Sequence, residues 1–193
     1  VEVLEGVNAA GKSIDLIKTL FIVAKTLTGS YVPALDANIS YFDFIRVRKK
    51  SQGQRSSGAL VDEFGMVNEI SKEILSDGAK DQRNIRLVDP TQLNNRTYLI
   101  GLDEIPGTST NEFEGEALTY GLVRWLSEQS GVRAITTEHF PSLREILDDT
   151  TVSGINFSHF VFDTVTRVGD LFFPYTKENG VYRGVDYAIA IAE

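Results

Sequence analysis

The chain of 193 residues contains no cysteine, and none of its apolar runs approaches the ~20 residues of a membrane span. Without cysteine, disulfides and thiolate metal sites are excluded, and the composition is consistent with a reducing compartment. No stretch has the pattern of a secretory signal peptide. We therefore expect a cytoplasmic protein with no membrane partner.

Basic residues are also scarce. The sequence has 19 lysines and arginines against 27 aspartates and glutamates, for a formal net charge of -8. Nucleic acids are bound largely through clustered lysine and arginine side chains, so this balance argues against a chain that grips DNA by itself. The basic residues within 46–55 form one cluster, which a solvated loop explains as well as a partner does.

The clearest motif is a glycine-framed loop near the start, which fits the pattern G-x-x-x-x-G-K-[ST]. Apolar residues before it indicate a strand, and apolar residues at helical spacing from Leu16 to Leu27 indicate a helix after it. Strand, loop and helix in this order favour a phosphate-binding loop over an ordinary glycine turn. Lys12 would then reach the β- and γ-phosphates, and the Ser13 hydroxyl would bind Mg²⁺. The predicted ATP-binding residues of the loop are Gly6, Val7, Asn8, Ala9, Ala10, Gly11, Lys12 and Ser13.

A second motif is the apolar run 99–102 that ends in Asp103 and Glu104. In P-loop ATPases an acid at the end of a hydrophobic strand holds Mg²⁺, and an adjacent glutamate can polarise the attacking water. We assign the metal to Asp103, together with Ser13, and the water to Glu104. Taken alone, the same run could be a strand that enters a solvated turn.

The two histidines receive different interpretations. His139 ends the next apolar strand, 132–139, where a side chain beside Asp103 could sense the γ-phosphate. Alone it would be a surface or core histidine. His159 lies in an alternating strand pattern and is interpreted as structural.

The whole chain alternates between strand and helix patterns and shows no repeat or internal domain boundary. A strand is predicted at 38–47, helical spacing at 60–74 and around 117–126, and antiparallel strands within 152–175. Polar segments occupy 49–58 and 76–96. The fold class is α/β, with a mainly parallel sheet flanked by helices and an antiparallel portion, and residues 1–193 form one domain.

Several segments, in order, resemble the MutS family. The loop is similar to the MutS P-loop, in which asparagine stands third, as Asn8 does here, and "TTEHF" (136–140) is similar to the family's histidine strand. The segment "LDEIPGTST" (102–110) resembles the family's Walker B motif. Further matches are "GSYVPA" (29–34), "FDFIRVR" (42–48), Arg55-Ser56-Ser57 followed by Asp62 and Asn68, "EGEAL" (114–118) and "YAIAIAE" (187–193).

This resemblance implies a MutS-like ATPase domain with the P-loop NTPase fold of the ABC superfamily. It further implies ATP and Mg²⁺ as cofactors, a homodimer or MutS-like heterodimer, and ATP coupled to mismatched DNA held by domains outside this chain. Ser57 would bind the nucleotide of the partner subunit. Because residue 1 already lies in the P-loop strand, we expect a fragment that lacks upstream DNA-binding domains and the C-terminal dimerisation helices.

The sequence also departs from the family pattern. Val7 and Ala10 replace a proline and a glycine, Ile14 replaces a threonine, and Pro106 stands where the family has Gly-Arg. The alternative is therefore a divergent paralogue, an ATPase switch in recombination control or protein-complex remodelling without mismatch recognition. An ABC transporter subunit is disfavoured, because "LVDPTQLNNR" (87–96) contains no glycine-rich signature before the Walker B strand.

Overall fold

The protein has an α/β fold built on a mixed six-stranded sheet. The computed structural model describes residues 1–6, 10–49, 65, 68–69, 71–72, 96–104, 112–140, 153–162, 167–168, 171–172 and 175–180. Two helices and eight strands are complete within these ranges. They are β1 (Glu2–Glu5), α1 (Lys12–Leu27), β2 (Phe44–Lys49), β3 (Tyr98–Asp103), α2 (Glu112–Glu128), β4 (Val132–Thr137), β5 (Asn156–Phe162), β6 (Arg167–Val168), β7 (Leu171–Phe172) and β8 (Tyr175–Asn179).

The sheet is mainly parallel. Its strand order is β2-β3-β4-β1-β5-β8, and only β8 runs antiparallel to its neighbour. In the register of the ladders, Thr137 of β4 lies opposite Asp103 on one side and Leu4 on the other. The α/β class with a mainly parallel sheet and an antiparallel portion is therefore confirmed. The carboxyl ends of β1, β3 and β4 lie side by side at one edge.

Helix α1 begins directly after the glycine loop and buries one stripe of apolar residues. Leu16, Leu20 and Val23 follow helical spacing and are almost fully buried. The helix ends at Leu27, and Gly29, which follows the C-cap Thr28, is left-handed with φ 68°. The Gly29 N–H donates to Thr26 O and the Ser30 N–H to Lys25 O, which is the pairing of a Schellman motif. The helix predicted from the apolar spacing between Leu16 and Leu27 is therefore present.

Each helix covers one face of the sheet. Leu16 and Leu20 of α1 pack with Leu99 and Ile135, whereas α2 packs on the opposite face. The α2 cluster contains Tyr98, Ile100, Leu102, Leu122, Leu126, Val132 and Ala134. Gly101 allows the close approach of α1, because a Cβ there would lie 2.4 Å from Leu20 Cδ1.

Two predicted strands differ from the observed ones at their ends. The strand predicted at 38–47 begins only at Phe44, because the preceding apolar residues, Ile39 and Phe42, pack against the α1 cluster instead of joining a ladder. Asp43 Oδ2 accepts a hydrogen bond of 2.8 Å from the Thr97 N–H, which fixes the chain at this point. The strand predicted to end at His139 stops at Thr137.

Several other predictions fall partly or wholly outside the described residues. Within the predicted helix 60–74, residues 65, 68–69 and 71–72 are helical. The polar segment 50–58, residues 76–95 and the tail 187–193 lie outside the described ranges. In the described part of the chain, no helix combines the length and apolar character needed to cross a bilayer.

Candidate functional site

The predicted site residues meet at the carboxyl edge of the sheet. Gly6 follows β1, Asp103 ends β3 and Glu104 comes directly after it, and His139 lies two residues after β4. Because these strands are neighbours in the order β3-β4-β1, the loop, the two acids and the histidine are brought to one place. Val7, Asn8, Ala9 and Ser57 lie outside the described residues.

The two glycines that frame the loop have backbone conformations that other residues disfavour. Gly6 has φ 138° and Gly11 has φ 96°. Gly11 is the N-cap of α1, and Ser13 lies half-buried in the first turn of that helix. The N–H groups of a first helical turn have no partners within the helix and favour an anion. The spacing of the glycines therefore reflects a backbone requirement.

Lys12 is buried at this edge, with 5% of its surface exposed. Its Nζ donates to the carbonyl oxygen of Gly6 and lies 3.3 Å from Nδ1 of His139. Burial lowers the pKa of Lys12 to about 8, although the charges of Glu104, Glu138 and Asp103 act in the opposite direction. A lysine ammonium can only donate, so Nδ1 of His139 is the acceptor of this contact.

His139 connects Lys12 to Glu104. Its Nε2 lies 3.0 Å from Oε1 of Glu104. With Nδ1 accepting from Lys12, Nε2 carries the hydrogen and donates a hydrogen bond to the carboxylate. The three side chains thus form a continuous hydrogen-bonded series from α1 through the end of β4 to the end of β3.

Thr137 fixes the turn that carries both acids. Its buried hydroxyl donates to Asp103 Oδ1 over 3.1 Å and accepts a 2.8 Å hydrogen bond from the Glu104 N–H. Glu104 has φ 55°, the left-handed region that a residue with a side chain rarely adopts. Sequence reasoning missed Thr137, because its role depends on the register that sets it opposite Asp103.

Glu138 is a second residue that the sequence did not single out. Its side chain is almost fully buried, and Oε1 accepts a 2.9 Å hydrogen bond from the Thr136 hydroxyl. Burial raises the pKa of Glu138 well above its usual value, and the charges of Glu104 and Glu5 add to this effect. The hydrogen bond from Thr136 and the charge of Lys12 oppose it. The only indication in the sequence that Glu138 belongs to the site is its place directly before His139 in "TTEHF".

An ion-pair network lies on the side of α1 that faces β8. Asp15 in the first turn binds Nζ of Lys18 at 2.7 Å and Nζ of Lys177 at 3.0 Å. Burial raises the pKa of the Asp15 carboxyl, but the two lysines outweigh burial and hold that pKa below its usual value. Lys177 also binds Glu2 Oε1 at 2.6 Å.

A second histidine and a cavity also lie within the described ranges. No group of three or more His, Cys, Asp or Glu side chains in those ranges is arranged to hold a metal. His159, interpreted as structural, has its Nδ1 2.8 Å from Gly180 O. A cavity of about 620 Å³ lies between α1 and the starts of β3 and β4, lined by Thr19, Thr97 and Gly131 among others. It is at the opposite edge of the sheet from Lys12.

The chain is similar over most of its length to curated DNA mismatch repair proteins, although no family model matches it. It is 28% identical over 158 residues to the DNA mismatch repair protein MutS of Lachnoclostridium phytofermentans, covering 81% of this chain and 15% of that protein. It is 28% identical over 186 residues to the DNA mismatch repair protein MSH3 of Meyerozyma guilliermondii, covering 94% of this chain and 17% of that protein. It is 30% identical over 146 residues to the DNA mismatch repair protein MutS of Ruminiclostridium cellulolyticum, covering 75% of this chain and 14% of that protein.

The chain thus spans 14% to 17% of the length of these relatives. All three relatives carry the name of a DNA mismatch repair protein. Together with the ordered motifs in the sequence, these similarities show that the chain is a relative of the MutS family of DNA mismatch repair proteins.

Proposed function

We propose that this chain is a P-loop NTPase domain of the ABC-superfamily type that binds and hydrolyses ATP with Mg²⁺. The observation that carries the proposal is the series Lys12–His139–Glu104 beside the glycine-framed loop. It joins a cation, a histidine and a carboxylate at the carboxyl edge of a parallel sheet, where ligands of open α/β sheets bind.

The loop and the first turn of α1 bind the phosphates. Lys12 now donates to Gly6 O and contacts His139, so the oxygens of a β- or γ-phosphate replace these partners when ATP enters. The backbone N–H groups of the loop and of the helix start supply further donors, because the positive φ angles of Gly6 and Gly11 allow the chain to turn around the phosphates. The negative charge of a bound phosphate also favours the protonated form of Lys12.

Glu104 orients the attacking water and His139 senses the γ-phosphate. Glu104 is one third exposed, so its carboxylate reaches solvent while the 3.0 Å contact with His139 fixes one oxygen. This exposure lets water reach the Glu104 carboxylate beside the lysine that would bind the phosphates. His139 contacts both Glu104 and Lys12. The binding of the phosphates by Lys12 is therefore coupled to the orientation of water by Glu104.

Asp103 and Ser13 would hold Mg²⁺. Carboxylate and hydroxyl oxygens suit this ion, which usually keeps several waters and uses one or two protein ligands plus the phosphates of a nucleotide. The described residues fit that mode, since they offer Asp103 at a buried strand end and Ser13 in the first turn, and no cage of three acids or histidines. The ion would neutralise charge on the phosphates during hydrolysis.

The whole protein, on this proposal, couples nucleotide state to the binding of mismatched DNA through parts outside this chain. Support comes from the names of the relatives, which are DNA mismatch repair proteins, and from the net charge of -8, which disfavours DNA contact by the chain itself. The working state is a homodimer or MutS-like heterodimer in which Ser57 reaches the nucleotide of the partner subunit.

The direct test is Mg²⁺-dependent binding of a labelled ATP analogue. The variant Lys12→Ala removes the phosphate contact and should abolish binding, whereas Lys25→Ala removes a lysine from the last turn of the same helix and should not. Undiminished binding by the Lys12 variant would contradict the proposal.

A further inference from the structure

A carboxylate lies in the first turn of the helix that begins the phosphate site. Asp15 follows Lys12 by three positions, and only 12% of its side chain is exposed. A negative charge in the first turn stabilises the helix itself. The same charge repels a polyphosphate bound at that helix start, and its burial makes the repulsion stronger than on an open surface.

Two lysines compensate this charge, and they differ in environment. Lys18 binds Asp15 Oδ1 from the same helix, and its side chain is 57% exposed. Lys177 binds Oδ2 from β8, and its side chain is 31% exposed. The Lys18 hydrogen bond does more than the Lys177 hydrogen bond to hold the Asp15 pKa down, but the less exposed Lys177 has the larger charge interaction with Asp15 and is screened less by salt.

Lys177 is also held firmly in place. Its Nζ lies between carboxylates of two elements, since it contacts Glu2 Oε1 of β1 at 2.6 Å as well as Asp15 of α1. The hydroxyl of Ser158 on β5 donates to the same Glu2 oxygen over 3.1 Å. The antiparallel edge strand β8 thus places the ammonium group of Lys177 beside the first turn of α1.

We propose that Lys177 sets the affinity of the site for polyphosphates by neutralising Asp15 in the first turn of α1. This inference rests on the proposed nucleotide site and assigns Lys177 the part of a positioning residue, which acts through Asp15 and does not touch the ligand. The antiparallel end of the sheet thereby controls the electrostatics of the P-loop.

The experiment compares AMP, ADP and ATP as ligands of the chain and of four variants. Lys177→Met leaves Asp15 under-compensated, so ATP should bind about tenfold more weakly, ADP less so and AMP about equally well. Asp15→Asn removes the repulsive charge and should tighten ATP binding about threefold. The double variant should return to about the parent affinity, because it removes one negative and one positive charge and so restores the net charge of the cluster that also contains Glu2 and Lys18. Lys25→Met is the matched control for loss of one lysine and should change none of the three affinities.

The outcomes separate this inference from the proposed function. Failure of the parent to bind ATP ends the proposed function and the inference with it. If the parent binds ATP and Lys177→Met weakens AMP as much as ATP, or the double variant does not recover, Lys177 acts only through packing and the inference is wrong. If Lys177→Met does not fold, the Asp15→Asn variant decides, because weaker or unchanged ATP binding there contradicts a repulsive role for Asp15.

Discussion

The ammonium nitrogen of Lys12 lies 3.3 Å from Nδ1 of His139, although 127 positions of sequence separate the two residues. The contact exists because β1 and β4 are paired in parallel, so the residues that follow both strands meet at the same edge. In this state the cation that would bind phosphate and the carboxylate that would orient water are both bound to the same imidazole.

Replacing Glu104 with glutamine should separate binding from hydrolysis. The amide keeps the shape and the contact with His139, but it lacks the carboxylate charge that polarises water. We expect near-parent ATP affinity and turnover reduced by about 10²-fold or more. Phosphate release under saturating ATP measures this, with Glu114→Gln, an exposed position on α2, as the control. Equal turnover in the Glu104 variant and the parent would show that this acid has another role.

The stability of the chain should depend on pH through Glu138. Its pKa is raised in the folded state, so the folded chain holds this proton more tightly than the unfolded chain does. The resulting stability is fully present below the unfolded pKa of about 4.3 and is lost as pH rises through the folded value. Glu138→Gln stays neutral and should gain free energy of unfolding relative to the parent between pH 4 and pH 8. Urea unfolding at several pH values measures it, and parallel curves for the two proteins would contradict the assignment.

Two glycine-to-alanine changes should have opposite effects on stability. At Gly101 the new methyl group would lie 2.4 Å from Leu20 Cδ1 and 3.1 Å from Leu16 Cδ2, so the packing of α1 on the sheet must shift. We expect a loss of about 1–3 kcal/mol. At Gly121 in α2 an added Cβ meets nothing within 4 Å, and alanine should stabilise the helix by about 0.5–1 kcal/mol. Thermal unfolding of both variants checks the pair, and a stable Gly101 variant would mean that α1 does not pack as described.

The isolated chain should bind duplex DNA weakly and without preference for a mismatch. The reason is the excess of 27 acidic over 19 basic residues, which supplies few phosphate contacts. Titration of matched and mismatched duplexes at physiological salt measures both the affinity and the preference. Tight, mismatch-selective binding would place DNA recognition inside this chain.

A shared nucleotide site should be visible when two inactive chains are mixed. The experiment uses a longer form of the protein that includes the dimerisation helices expected outside this chain. In a dimer of Lys12→Ala with Ser57→Ala, both lesions fall on one composite site and leave the other intact. ATPase activity should therefore reappear in heterodimers. If heterodimers form and remain as inactive as each variant alone, Ser57 does not act across the interface.

The two glycines that frame the loop, the helix and the acid strand could be predicted from the sequence, because each follows from a short-range rule. The pattern from Gly6 to Ser13 reflects a local backbone requirement, and the apolar spacing from Leu16 is a property of one helix. Thr137 and Glu138 could not be found in this way. Their roles depend on which strand lies beside β3 and on how deeply its end is buried, and both are consequences of the sheet order.

The same limit explains the error at the start of β2. Residues 38–43 have the apolar content of a strand, but Ile39 and Phe42 are used to cover the α1 cluster. A single sequence does not distinguish apolar residues that pair in a ladder from those that pack as a loop. The link between Asp15 and Lys177 spans 162 positions and carries no local pattern at all.

The place of β4 in the sheet sets the width of the site. Strands in a sheet lie about 4.8 Å apart, so the loop after β1 and the acids after β3, with β4 between them, are separated by roughly 10 Å. On the proposed function, this gap would hold a terminal phosphate and one water molecule in line with it. Were β1 and β3 direct neighbours, the acid would stand one spacing from the loop and would crowd the phosphate itself. The intervening strand β4 therefore sets the distance between the loop and the acids, and His139, which follows β4, lies between them.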